Sequence, residues 1–145
     1  MFERYTERAR RVLFFARYEA GELGSLSIGT EHVLLALIRE GRGLTSEIFA
    51  QAHLSLEAIR GEIETGKGPR LDESVEIPLS PEMVELLVKL APEEADRLND
   101  SHIGSEHLLL GLLRGEGTVA GSILASQGLR LDTVRQEIAA LRSVR

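Results

Sequence analysis

Cysteine and tryptophan are absent from this chain of 145 residues, and aromatic residues make up only 4% of it. Without cysteine, disulfides and thiolate metal sites are excluded, and an intracellular location is permitted. Positive charge is also in deficit. Lys and Arg number 17 against 23 Asp and Glu, a formal charge of −6. That balance repels polyphosphate backbones, so no nucleic-acid partner is expected. Long hydrophobic runs are missing too: Val33 to Ile38 is far too short to span a bilayer, and Met1-Phe2-Glu3-Arg4 leads into no apolar signal core. No membrane partner is expected, and the chain reads as soluble and cytoplasmic. With 43% hydrophobic and 28% charged residues it is globular rather than disordered.

What the chain does contain is one short stretch written twice. Ile28-Gly29-Thr30-Glu31-His32 runs into Val33-Leu34-Leu35-Ala36-Leu37, and Ile103-Gly104-Ser105-Glu106-His107 runs into Leu108-Leu109-Leu110-Gly111-Leu112. Each reads as the start of an amphipathic helix, with a small or hydroxyl residue able to cap a free amide. The two copies lie 75 positions apart, and the same offset pairs Glu19 with Glu94, Arg39 with Arg114, Ile48 with Ile123, Arg60 with Arg135 and Ile63 with Ile138. This is a duplication. A period of 75 exceeds the usual solenoid unit, so two copies of one helical subdomain are expected rather than an open array.

In chain order, Thr6 caps a first helix with Ala9, Val12, Leu13, Ala16, Ala20 and Leu23 on one apolar stripe. Arg8, Arg10, Arg11 and Arg17 lie off the stripe, as a solvated face or a patch for a partner. Glu40-Gly41-Arg42-Gly43 stops the motif helix, and two short helices follow, around Leu44 to Phe49 and Leu56 to Ile63. A linker over about 66–79 includes Val75-Glu76-Ile77-Pro78-Leu79, an extended piece that Pro78 confines to an edge or bars from a sheet. Ser80-Pro81 restarts the pattern, and Pro92 predicts a kink or break between Leu90 and Glu93. Fraying is expected at Val144-Arg145. The prediction is an all-α, eight-helix domain over 1–145, made of two pseudo-twofold-related four-helix repeats at about 5–65 and 80–143.

Several motifs are considered and set aside. Gly61 to Gly68 nearly spells a phosphate-binding loop, but Gly68 stands where Ser or Thr must hold magnesium, and the glycines follow a helix rather than a strand. No nucleotide and no other cofactor is expected. His102 and His107 are five apart, and neither Glu-His pair extends to a metalloprotease pattern, so no metal site is predicted; His32 and His107 read as structural. Glu31 and Glu106 admit three readings. They can act as a general acid and base, as in glycoside hydrolysis, although no Trp is present to line a sugar cleft. Alternatively each simply complements its helix dipole. The third reading uses both ends of a ligand: the carboxylate accepts a guanidinium while helix-start amides, with Thr30 or Ser105, accept a phosphate.

Phe2-Glu3-Arg4-Tyr5-Thr6-Glu7-Arg8-Ala9-Arg10-Arg11-Val12-Leu13, the two Ile-Gly-Thr/Ser-Glu-His helix starts and Arg39-Glu40-Gly41-Arg42-Gly43 together resemble the N-terminal repeat domain of Clp-type AAA+ unfoldases, closest to the ClpC branch. The resemblance covers essentially the whole chain. It implies a non-catalytic platform that receives adaptors and marked substrates for a Clp ATPase. It further implies recognition of phosphoarginine, with Glu31 and Glu106 taking the guanidinium and Gly29, Thr30, Gly104 and Ser105 completing the two sites. Phe2, Arg10 and Leu79 match the family's adaptor surface, where relatives carry an aromatic at Leu79 and basic residues near Glu82, Met83 and Glu85. No ATPase module follows within the sequence. The chain therefore reads either as a domain of a larger protein or as a free-standing accessory that docks on a Clp ATPase or peptidase ring without reading a tag.

Overall fold

In the computed structural model, residues 2–64 and 67–143 are described; the linker's start at Gly66 and the expected fraying at Val144-Arg145 lie outside them. Among the described residues the architecture is all-helical, with eight helices and no strand. They are α1 (Glu7–Glu22), α2 (Thr30–Glu40), α3 (Gly43–Gln51), α4 (Leu56–Ile63), α5 (residues 81–97), α6 (Ser105–Arg114), α7 (Val119–Ser126) and α8 (Leu131–Ser143).

Thr6 caps α1 as its sequence predicts, accepting a hydrogen bond from the Ala9 amide at 3.1 Å. Ser80 does the same for α5 through Met83, with Pro81 in the first turn. The interruption that Pro92 demands falls one turn earlier than expected. Residues Leu86–Leu90 form a π-helical turn between α-helical Pro81–Glu85 and Ala91–Arg97, and the Ala91 amide reaches back to the Leu86 carbonyl. The wider turn absorbs the missing proline donor within one uninterrupted run of helical residues.

The motif helices α2 and α6 form the centre. Val33, Leu34, Leu35 and Ala36 are fully buried, as are Leu108, Leu109 and Leu110, and one hydrophobic core runs through both halves. The halves interlock at two short crossings. The Thr6 amide donates to the Ile103 carbonyl at 3.0 Å and the Ile103 amide to Arg4 at 2.8 Å; reciprocally, Ile28 donates to Pro78 at 2.8 Å and Ser80 to Ile28 at 3.0 Å. These make two isolated parallel bridges, Tyr5 with Ile103 and Ile28 with Leu79. The extended piece before Pro81 thus joins no sheet, only this one bridge. Each motif therefore begins beside the segment leading into the other half's first helix.

Tyr5 anchors one crossing. Its buried hydroxyl donates to the Leu87 carbonyl at 2.7 Å, and burial pushes its pKa up to about 12. No single helix among the described residues is long and apolar enough to cross a membrane.

Candidate functional site

The tips of α2 and α6 share one construction, and of the small or hydroxyl residues expected to cap them it is the small ones that stand at the cap. Gly29 and Gly104 are the N-caps, while Thr30 and Ser105 are the first helical residues. Capping falls to the histidines. The Gly29 amide donates to His32 Nδ1 at 2.9 Å and the Gly104 amide to His107 Nδ1 at 2.8 Å; each histidine amide donates back to its glycine carbonyl at 3.1 Å. A glycine cannot cap through a side chain, so the ring nitrogen three residues on supplies the acceptor.

Both rings are buried and neutral. Burial holds the His32 and His107 pKa values below the ordinary imidazole range, opposed by Glu31 and by Glu106 respectively. With Nδ1 accepting from the backbone, the proton of His107 sits on Nε2, which donates to Asp100 at 2.7 Å. The histidines are structural, as their sequence position suggests.

Glu31 and Glu106 each fold back over the N-cap glycine. A Cβ on Gly29 would collide with Glu31 Oε1, and one on Gly104 with Glu106 Oε1. Glycine therefore leaves room for the carboxylate to lie over the helix tip, and a side chain here would push the carboxylate aside. Negative charge at these tips also complements the helix dipole.

The symmetry of the two tips stops at their surroundings. Glu106 accepts a hydrogen bond from Arg142 Nη2 at 2.9 Å, and Arg142 Nη1 pairs with Asp100 at 2.8 Å. Burial is the largest influence on the Glu106 carboxyl and works against its charge. Arg142, the residue's own backbone amide and the neighbouring His107 together outweigh it, leaving the pKa below the usual carboxylate range. No cation pairs with Glu31 among the described residues. By the repeat offset, Ser25 and Lys67 stand where Asp100 and Arg142 would be.

The two carboxylates also open onto different clefts, so the structure does not assemble them into one acid-base pair. Glu31 lines a cleft of about 330 Å³ shared with Glu82 and Glu116 and edged by the loop before α7. Three carboxylates and no Lys or Arg line it. Glu106 lines a larger cleft of about 680 Å³, into which Arg8 and Arg11 of α1, Arg42 before α3, Thr45 and Ser105 also enter. The first cleft suits a cation and the second an anion.

Of the expected adaptor surface, Phe2 and Arg10 come together: the Arg10 guanidinium donates to the Phe2 carbonyl at 2.7 and 3.2 Å, and the Phe2 ring meets Tyr5 edge-on at 5.6 Å. Leu79 is placed elsewhere, bridged to Ile28 beside the first motif. Phe2 and Leu79 are each 38% exposed. The α1 arginines are not a plain solvated face. Arg8 and Arg11 reach Glu40 at 3.6 and 3.3 Å, and Arg17 donates to the Val75 carbonyl at 2.6 Å. Sequence reasoning missed Arg142, Asp100, Arg42 and Thr45. Its available signal was the mismatch of Asp100 with Ser25 and of Arg142 with Lys67 within an otherwise matching offset.

Comparison with known proteins gives a consistent picture. A family model described as the Clp repeat (R) N-terminal domain matches residues 4–127 and 81–143. The negative regulator of genetic competence ClpC/MecB of Bacillus subtilis is 41% identical over 141 residues, which is 95% of this chain and 17% of that protein. The chloroplastic chaperone protein ClpC1 of Oryza sativa is 43% identical over 95% of this chain and 15% of its own length. The chain thus spans less than a fifth of these relatives. The N-terminal domain of the chaperone ClpD from Arabidopsis thaliana superposes with a TM-score of 0.74 at 26% identity, covering 98% of this chain and 97% of that one. The Hsp104 N-terminal domain from Candida albicans, at 20% identity, shares the fold with a TM-score of 0.77 over 99% of this chain and 94% of its own.

Proposed function

This chain belongs to the Clp repeat (R) N-terminal domain family, and from that premise we propose that it is a non-catalytic docking domain that receives adaptors and phosphoarginine-marked polypeptides for a Clp ATPase. The observation that carries the reading is the pair of helix tips, each topped by its own carboxylate folded over a glycine.

A phosphoarginine side chain offers a guanidinium and a phosphate together. At the α2 tip, Glu31 is open to accept the guanidinium through parallel charge-assisted hydrogen bonds, with Gly29 and Thr30 beside it. At the α6 tip, Arg8, Arg11 and Arg42 favour the phosphate, with Gly104 and Ser105 at its edge. There the incoming guanidinium has to displace Arg142 from Glu106. The two tips thus offer the two halves of the mark with unequal ease. Phe2 with Arg10, and Leu79 at the other crossing, supply partly exposed apolar ground for an adaptor.

Titration calorimetry of the folded domain with free phosphoarginine tests the reading. Micromolar-scale binding, roughly −8 kcal/mol, is expected. Glu31→Ala combined with Glu106→Ala is expected to abolish it. Absence of heat with the wild-type domain rejects phosphoarginine as the ligand. A Clp ring retained by this domain in the absence of any tagged protein would instead favour a tag-independent accessory.

A further inference from the structure

We infer that the α6 cleft is a receptor for a phosphate monoester on a polypeptide, such as phosphoserine, that needs no arginine in its ligand because Arg142 already supplies the guanidinium. This rests on the reading above only in taking the ligand to be a polypeptide.

Four features converge. Thr45 and Ser105 line the cleft at 2% and 7% exposure, and each has a buried hydroxyl oxygen without a hydrogen-bond partner. A buried hydroxyl left unpaired is unfavourable, and an oxyanion between the two would satisfy both as acceptor. Secondly, Arg8 and Arg11 are held over the cleft by Glu40, whose side chain is only 5% exposed. The Arg8 guanidinium lies so close to Gly43 that a Cβ there would collide with it, and Gly43 has φ of +75°, which favours glycine. Thirdly, Arg42 is exposed at the cleft edge and forms no ion pair among the described residues, so its charge is available to a ligand.

The fourth feature is the state of Glu106. A bare carboxylate in the cleft would repel phosphate, but Arg142 offsets part of that repulsion by pairing with this one at 2.9 Å while also holding Asp100 at 2.8 Å. Glu7, the other acid on the lining, is 93% exposed and pairs with Arg11 at 3.8 Å. The lining itself carries three arginines against two glutamates, and Arg42 is the one of the three that forms no ion pair among the described residues. A phosphate monoester, carrying close to two negative charges and three acceptor oxygens, fits that donor set better than a single carboxylate does. The α2 cleft, with three carboxylates and no cation on its lining, is unsuited to the same ligand.

The test uses an arginine-free phosphoserine peptide, its unphosphorylated parent and the parent with glutamate at the same position, each titrated into the whole chain by fluorescence anisotropy. The phosphopeptide is expected to bind roughly tenfold or more tightly than either control, and Arg42→Ala to weaken it about tenfold. Amide NMR shifts should move at Thr45 and Ser105. Arg142→Met, which returns an unpaired carboxylate to the cleft, is expected to weaken phosphoserine binding while phosphoarginine binding persists. Equal binding of peptide and parent, or insensitivity to Arg42→Ala in a variant with an unchanged melting curve, overturns the inference. Shifts confined to the α2 tip overturn it as well. Loss of phosphoarginine binding alone would instead count against the earlier proposal and leave this one standing.

Discussion

Glu19 and Glu94 lie 75 positions apart, and each is fully buried between two arginines from other helices. Arg39 Nε meets Glu19 at 2.6 Å, with Arg60 on the other oxygen; Arg135 Nη2 meets Glu94 at 2.6 Å, with Arg114 at 3.3 Å. Each carboxylate thus ties the first helix of its half to the motif helix and to the last one. Removing Glu19 leaves Arg39 and Arg60 without their carboxylate, and removing Glu94 leaves Arg135 so, while Arg114 keeps Glu93 at 2.7 Å. Glu94→Ala is therefore expected to cost about 3 to 5 kcal/mol, comparable to the whole stability margin of many domains. Urea denaturation of Glu94→Ala against wild type measures it, and Glu19→Ala should fall in the same range.

The histidine caps make stability depend on pH. In the folded chain both imidazoles stay neutral below their ordinary pKa of about 6.5, whereas the unfolded chain protonates there. The unfolded state then binds more protons, so stability is full above about pH 6.5 and falls as the pH drops below it. The slope approaches about 1.4 kcal/mol per pH unit for each histidine until the folded pKa is reached. Denaturant midpoints measured at pH 7.5 and 5.5 should show the loss. The lowered carboxyls of Asp100 and Glu106 add a second loss below about pH 4, in the same direction. For Asp100, burial is the largest influence and works against charge, but the bonds from Arg142 and His107 prevail.

Arg142 joins the end of α8 to the start of α6, and its removal has a readout independent of any ligand. Arg142→Met should cost about 1.5 to 3 kcal/mol, the range for hydrogen bonds to charged groups. It should also raise the Glu106 pKa, because burial then acts without its largest opponent. Side-chain carboxyl NMR titration of Glu106 checks the direction. A pKa unmoved by the substitution would show that the backbone amide and His107 hold the charge without Arg142.

Much of this architecture is legible in the residue order. Apolar spacing marks the buried faces of α1, α2 and α6, and the constant offset pairs Glu19 with Glu94, Arg39 with Arg114 and Arg60 with Arg135. That these six form two buried clusters is not legible, because each cluster joins three helices separated by tens of residues. Which of the small or hydroxyl residues caps each motif helix is not legible, for a local reason. Thr30 and Ser105 are good capping residues by type, and only the geometry shows His32 and His107 taking that role. The contrast between the clefts depends on the crossing of the halves: Arg42 enters the α6 cleft and Glu116 the α2 cleft, each from the other half's loop.

Gly29 offers the sharpest separation of binding from stability. Its φ of −108° and ψ of 178° are extended backbone that alanine adopts freely, so Gly29→Ala carries no conformational penalty of its own. The new Cβ would collide only with the end of the Glu31 side chain, which can swing away. Stability should change by less than about 1 kcal/mol, since the His32 cap is made through the backbone and stays intact. The carboxylate, however, would leave the helix tip, where the proposed function needs it to accept a guanidinium. Phosphoarginine affinity at the α2 tip is therefore expected to fall roughly tenfold in calorimetry, the effect of losing one well-oriented charge-assisted contact. Unchanged affinity with a displaced Glu31 would mean that the amides, rather than the carboxylate, hold the ligand.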